Sequence, residues 1–294
     1  MPLADRLAER FADAGIEGWA HAQNLTDGAQ IGYRADEPVA MASLYKLPLL
    51  VAFASEWQQG SLDPLTELRL EPSELTPGPT GLGTLSDPVT TSLRNVAVLM
   101  ATLSDNAAAD IVMSAVGRDA IARVVEQAGL RATHVRTSAA EGQQSLLRQT
   151  RVRSLPRAFE RLASNDELYG EVAYDPALTS PTSARDMTAL LGAVWTGRIV
   201  QGEPLQFIRS VMRNQVWPHR LRAGFPYAAA QIAGKTGTLG ALRHEVGVIE
   251  LPHEPPYAVA VLTRAARADA VLPSADRAIG DVAREAVSML RLRL

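Results

Sequence analysis

The sequence predicts a mixed α/β (α+β) fold, an antiparallel sheet flanked by terminal helices and joined to an all-helical domain. Three observations lead there. Strand patterns occur near both ends of the chain, helical periodicity dominates between them, and both termini read as helices with one apolar face. With 294 residues, 47% of them hydrophobic and 21% charged, the chain can bury one large core or two coupled ones.

The elements follow in order. Met1 to Phe11 places apolar residues at helical spacing with charges between them, unlike the apolar core of a signal peptide. As written this points to a cytoplasmic protein, or to a secreted one if a leader has been removed. Ile16 to Asn24 and Gln30 to Arg34 read as hairpin strands, with Thr26-Asp27-Gly28 as the turn. Helical patterns then cover Leu44 to Gln58, Leu93 to Leu103, Ala107 to Val116, Arg118 to Ala128 and Ser183 to Trp195, separated by connections rich in Pro and Gly such as Glu71 to Thr84. Strands return at Ala229 to Thr236, Glu245 to Leu251 and Tyr257 to Thr263, and a helix from Ala275 to Arg291 closes the chain. The expected division is an α/β domain from residues 1–40 and 182–294 and a helical domain from 41–181, with the ligand site in the cleft between them.

Composition narrows the function. A formal charge of -3, with arginines interleaved among acidic residues, makes no electrostatic case for nucleic acid or an anionic membrane. There is no apolar run long enough to span a bilayer. The absence of cysteine removes disulfides, thiolate catalysis and Cys-ligated zinc. A small-molecule substrate, no cofactor, no metal and a monomeric state are the expectations.

Of the 29 basic residues only two are lysines, Lys46 and Lys235. Lysine can be made to lose its proton by burial or a neighbouring cation, whereas arginine effectively cannot. Pro48 is tolerated only in the first turn of a helix, which places Ser43 at that helix's N-terminus, and the three-residue step puts Lys46 on the same face. A hydroxyl beside an amine is a nucleophile beside a base; Ser-x-x-Lys alone also fits a helix cap with a snorkelling lysine. Ser104-Asp105-Asn106 interrupts two helical patterns, so its side chains fall in a short connection that can face a cleft. Lys235-Thr236-Gly237-Thr238 ends a predicted strand, where Gly237 lets a ligand approach the backbone. A phosphate-binding loop does not fit, because Ala229 stands at its first required glycine and Gly237 and Gly240 fall where it needs a helix. Histidine-based hydrolysis is no better supported, since there is no Gly-x-Ser-x-Gly elbow and His244-Glu245 lacks a zinc protease's second histidine.

Taken in order, Ser43-x-x-Lys46, Ser104-Asp105-Asn106 and Lys235-Thr236-Gly237 resemble the active-site set of the class A serine β-lactamases and penicillin-binding proteins. The resemblance spans about Met41 to Thr263 and implies a β-lactamase-like fold. It implies that Ser43 attacks the amide carbonyl, that Lys46 takes its proton and that Ser104 passes a proton to the leaving nitrogen. Asn106 would hold the substrate's side-chain amide, and Lys235, Thr236 and Thr238 its carboxylate, with the backbone amides of Ser43 and Thr238 as oxyanion hole. Arg222 resembles a carboxylate-binding arginine of some relatives, and equally fits a surface role.

One part of the family pattern is missing. Class A enzymes carry a glutamate followed by Leu-Asn after the second motif, and Arg136 to Gln149 has no such pattern. Ala139 lies near the expected position, Glu141 is two residues on and Glu160 is more distant; Glu141 is the candidate for activating the deacylating water. Three readings follow: a β-lactam hydrolase with a Ser43 acyl-enzyme; a related esterase, amidase or D-alanyl-D-alanine peptidase; or a β-lactamase-like binding protein without efficient turnover.

Overall fold

The computed structural model describes residues 3–163, 173–269 and 271–292. Elements are numbered along the chain. β1 (Ile16–Asn24) and β2 (Gln30–Tyr33) form the N-terminal hairpin, while β7 (Gln231–Leu239), β8 (Leu242–Glu250) and β9 (Tyr257–Ala265) come from the C-terminal third. They assemble in the order β2-β1-β9-β8-β7, and every neighbouring pair is antiparallel. The two ends of the chain meet where β1 pairs with β9 from Ile16↔Ala265 to Asn24↔Tyr257. Short ribbons, β3 (Val39–Ala40) with β6 (Pro181–Thr182) and β4 (Glu67–Leu70) with β5 (Val89–Ser92), lie outside this sheet.

The hairpin β7–β8 differs from the sequence expectation. Its strands run further toward each other, because Leu239 pairs with Leu242 and only Gly240 and Ala241 form the turn. Gly240 takes a φ of +51° there, a conformation that suits glycine, and the Ala241 amide donates to the Tyr174 hydroxyl at 2.9 Å. Lys235-Thr236-Gly237 consequently lies inside β7 rather than at its end.

The helices are α1 (Leu3–Asp13), α2 (Lys46–Gln59), α3 (Leu93–Thr102), α4 (Asn106–Val116), α5 (Arg118–Gln127), α6 (Ala139–Thr150), α7 (Leu155–Ala163), α8 (Ala184–Trp195), α9 (Gly202–Arg213), the single turn α10 (Leu221–Gly224) and α11 (Pro273–Arg291). Local chemistry sets several starts. Ser92, Asp105 and Ser183 accept the Asn95, Ala108 and Asp186 amides at 3.3, 3.2 and 3.1 Å, filling the free donors at the N-termini of α3, α4 and α8. Gly60, left-handed at φ +75°, ends α2.

Each face of the sheet buries its own cluster. On one side Leu7 and Phe11 of α1 and Ile279, Val282, Ala286 and Val287 of α11 cover Ala20, Ala22, Val259 and Val261. On the other, Trp19, Val246, Val248, Ala258, Ala260 and Leu262 join the core of α2, α3, α4, α5, α8 and α9. α2 is apolar on nearly every side and is buried from Lys46 to Ser55, so it is the central helix of this core. Strands β8 and β9, covered on both faces, are buried along almost their whole length; β9 is almost continuously apolar, while β8 also carries Arg243, His244 and Glu245 into the interior. β7 is the sheet's edge, and its open side faces the helices.

A close backbone crossing holds α10 in place. A Cβ on Gly224 would overlap the Gly280 carbonyl oxygen of α11, an atom that cannot move aside without shifting the helix. Gly224→Ala is therefore expected to destabilise the protein by about 1–3 kcal/mol through overpacking. A thermal unfolding midpoint several degrees lower would be the sign; an unchanged midpoint would mean that the two backbones are not locked together.

Candidate active site

Ser43 lies in a one-turn 3-10 helix, Ala42–Tyr45, and α2 begins only at Lys46. The residue before it, Ala42, adopts a left-handed φ of +46°, a strained conformation for a residue with a Cβ. Pro48 is the third residue of α2, within the first turn, where its missing N–H leaves no helical bond unmade. The turn rests directly on β7: a Cβ on Gly237 would lie 3.0 Å from both the Met41 carbonyl oxygen and Leu44 Cγ. Glycine at 237 thus brings the first and third motifs into contact.

Lys46 is buried, and its Nζ has four oxygens around it. It lies 2.5 Å from the Ser104 carbonyl, 2.7 Å from Asn106 Oδ1, 3.4 Å from Ser104 Oγ and 3.5 Å from Ser43 Oγ. The carbonyl and the amide oxygen only accept, so they take the two protons of a neutral amine and leave its lone pair toward the two hydroxyls. Burial lowers the Lys46 ammonium to about 7, against the opposing charges of Asp105 and Asp110. A neutral amine aimed at a serine hydroxyl is a general base in position.

Ser104, at φ +61°, turns its side chain between the two lysines. Lys235 Nζ donates to Ser104 Oγ at 3.0 Å and to its neighbour's carbonyl, Thr236 O, at 2.8 Å. Burial, then repulsion from Lys46, lowers Lys235 well below the ordinary lysine range, with Glu245 opposing and Arg220 adding to the fall. Asp105 holds the connection in shape by accepting from the Leu82 amide at 2.6 Å as well as capping α4. Gly81, at φ +61°, leaves room for it, since a Cβ there would overlap Asp105 Oδ2.

The far side of the site is the open edge of β7. Thr236 N–H donates to Gln215 Oε1 at 2.6 Å and not to β8, so by the two-residue period of a strand Thr238 N–H also points off the edge. Thr238 Oγ1 accepts from Arg220 Nη2 at 2.9 Å, which leaves its own proton free for an anionic ligand. Arg220 is buried; it also donates to the His244 and Gly237 carbonyls at 2.7 and 3.2 Å and to Asp276 Oδ1 at 2.7 Å.

Two sequence-based candidates fall elsewhere. Arg222 donates to the carbonyls of Ala230 and Tyr227, closing its own loop, and the guanidinium at the edge of β7 is that of Arg220. Both arginines stand in one short segment, and only the fold distinguishes the one turned into the protein. Glu141 is the third residue of α6 and completes a capping box with Ser138, accepting the Ser138 amide at 2.8 Å and pairing with Arg118 at 2.5 Å. The Ser138 amide and then Arg118 hold its carboxyl below the usual range, against some desolvation. Its carboxylate is therefore occupied as a helix cap and ion pair, which weakens it as a base. The first amides of α6, Ala139 and Ala140, are taken by Asp110 at 2.7 and 2.9 Å, and Glu160 lies exposed on α7.

His244 is structural. Its Nδ1 lies 3.1 Å from the Thr263 amide and 2.9 Å from the Arg243 carbonyl, and its Nε2 lies 3.0 Å from the Ala40 carbonyl, so both ring nitrogens are engaged by backbone. Burial lowers it to about 4, so it is neutral. Among the described residues no group of three or more His, Cys, Asp or Glu is arranged to hold a metal, and no helix is long and apolar enough to cross a membrane.

The comparisons with known proteins give the family and the fold. The family described as the beta-lactamase enzyme family matches residues 2–290. The chain is 29% identical over 309 residues to a beta-lactamase regulatory protein, BlaB, of Streptomyces cacaoi, covering 98% of this chain and 97% of that one. In structure it is similar to a point mutant of PBP-A, an acyl-enzyme complex with penicillin G, at 22% identity and a TM-score of 0.78 over 99% and 97% of the two chains. A beta-lactamase from Sphaerobacter thermophilus DSM 20745 gives the same figures, 22%, 0.78, 99% and 97%. At these identities the two structures bear on the fold.

If Lys46 is the base, the reactivity of Ser43 toward a small fluorophosphonate should rise with pH through about 7 and level off above it, because only the neutral amine accepts a proton. Lys46→Arg should abolish labelling with little change in thermal midpoint, and Lys235→Arg should be milder. Equal losses in the two variants would remove the distinction between the lysines.

Proposed function

Because the chain belongs to the beta-lactamase enzyme family, we propose that it is a serine hydrolase whose Ser43 opens the amide of a β-lactam and holds the acyl-enzyme for long periods. The observation that carries the reading is the placement of Ser43 and Ser104 around one buried amine, with Lys235 on the far side of Ser104. Ser43 Oγ bonds to the ring carbonyl carbon as its proton moves to Lys46 Nζ. The carbonyl oxygen becomes an oxyanion facing the Ser43 and Thr238 amides. When it collapses, the ring C–N bond breaks and the proton travels from Lys46 through Ser104 Oγ to the leaving nitrogen, so charge and protons balance. Asn106, already oriented by Lys46, is placed for the substrate's side-chain amide. Lys235, Thr236, Thr238 and Arg220 supply donors for its carboxylate.

Deacylation needs a second base, and this favours slow turnover. Glu141 is engaged by Ser138 and Arg118, and Ala139 carries no ionisable group at the position nearest the family's glutamate. An enzyme that acylates readily and releases slowly acts as a binding protein on the timescale of the adduct. The S. cacaoi relative, named a regulatory protein, is consistent with such a use.

Intact-mass measurement with benzylpenicillin should find one penicilloyl group on the Ser43 peptide, absent in Ser43→Ala and persisting for minutes or longer in the wild type. Ala139→Glu, which places a carboxylate on a half-exposed position at the start of α6, should shorten the adduct lifetime by about a hundredfold, the lower end of general-base catalysis. Glu141→Gln should leave that lifetime unchanged. An unmodified Ser43, or rapid wild-type turnover that Glu141→Gln abolishes, would overturn the reading.

A further inference from the structure

Glu245 is a buried carboxylate that none of the three motifs contains. It stands opposite Thr236 in the β7–β8 register. Its Oε1 accepts from Gln215 Nε2 at 2.7 Å and its Oε2 from the Leu221 amide at 2.6 Å. Gln215 passes the connection on, since its Oε1 accepts the Thr236 amide. Leu221 directly follows Arg220, whose guanidinium binds Thr238. One carboxylate therefore anchors both arms of the anion-binding edge, the strand through Gln215 and the arginine through its neighbour's backbone. Space is reserved for it as well: a Cβ on Gly234 would lie 2.6 Å from Glu245 Oε1 and 2.9 Å from Gln215 Nε2.

We propose that Glu245 is a positioning residue for recognition of the substrate's carboxylate: through Gln215 and Leu221 it orients Thr236 and Arg220. The inference rests on reading the site as an acyl-transfer centre that binds an anionic substrate. The direction of the hydrogen bonds supports it. Gln215 turns its oxygen to Thr236 and so must present N–H to residue 245, where the Leu221 amide is a second donor. Two converging donors match the two oxygens of a carboxylate, which in its ionised form only accepts. Burial pushes the Glu245 carboxyl up to about 7, while the Leu221 amide, Arg220, Gln215 and Lys235 favour its charged form. In return Glu245 opposes the fall of Lys235 caused by burial and by Lys46. Glutamine at 245 would set an NH2 against one of the two donors and remove the charge.

The discriminating measurement is the second-order acylation rate for a penicillin and for its methyl ester, which share the reacting ring but differ in the anion. Glu245→Gln should slow the free acid about tenfold, the scale of one lost charge-assisted hydrogen bond, and change the ester little. Gln215→Met, which cuts the link to Thr236 but keeps the Glu245 carboxylate on the Leu221 amide, should lower the same ratio less, and it carries the comparison if Glu245→Gln does not fold. A merely structural role would slow acid and ester alike, and equal slowing or an unchanged ratio in both variants overturns the proposal. A titration separates this from failure of the acylation reading: Ser43→Ala protein should bind phenylacetate, and adding Glu245→Gln or Gln215→Met should weaken that binding. No binding, or binding that neither second substitution weakens, overturns the proposal even if Ser43 proves unreactive.

Discussion

Two lysine amines removed from water within reach of one serine hydroxyl are the constraint on which the rest of the site depends. Each would be charged in solution; burial opposes both charges, and at Lys235 repulsion from Lys46 adds to it. The arrangement is stable only where acceptor oxygens and carboxylates surround it, and each lysine has its own. Lys46 has the Ser104 carbonyl, Asn106 and the fields of Asp105 and Asp110; Lys235 has the Thr236 carbonyl and the field of Glu245. Lys46 faces the Ser43 hydroxyl and can accept its proton, while Lys235 donates to Ser104.

The same carboxylates also fix backbone. Asp105 caps α4 and ties down the segment around Leu82, Asp110 caps α6 and binds Thr76, and Glu245 holds Leu221. Electrostatic tuning and mechanical support are thus carried by the same side chains, so changing one alters both. Glycines complete the assembly by absence of volume. Gly237 lets β7 touch the Ser43 turn, Gly234 leaves room for Glu245 and Gly81 for Asp105.

Sequence reasoning and structure diverge at two arginines, at two carboxylates and at the strand ends, through long-range contacts in some places and local patterns in others. Arg220 and Arg222 sit in similar local sequence, and the choice between them depends on Asp276 of α11 and on the β7–β8 hairpin. Glu141 has the spacing of a capping box, Ser138-x-x-Glu141, a local pattern legible without any fold, and its use there competes with a catalytic role. Glu245 follows His244 in what reads as an ordinary strand start, and nothing local marks it as the partner of Gln215 thirty positions earlier. The strand ends shifted by a few residues because a two-residue turn around Gly240 lets pairing run to Leu239 and Leu242.

The sequence by itself determined the class of fold and the kinds of chemistry present. Hydrophobic periodicity, caps and turn residues act over a few positions, so the terminal strands, the intervening helices and the pairing of Ser43 with Lys46 one turn later are local consequences of composition. Only the tertiary structure decided that both lysines are buried and lowered in pKa, which arginine reaches the anion-binding edge and which carboxylate supports it. Those depend on burial and on atoms brought within about 3 Å by the close packing of β7 against the turn at Ser43 and the segment before α10, distances that spacing along the chain does not specify.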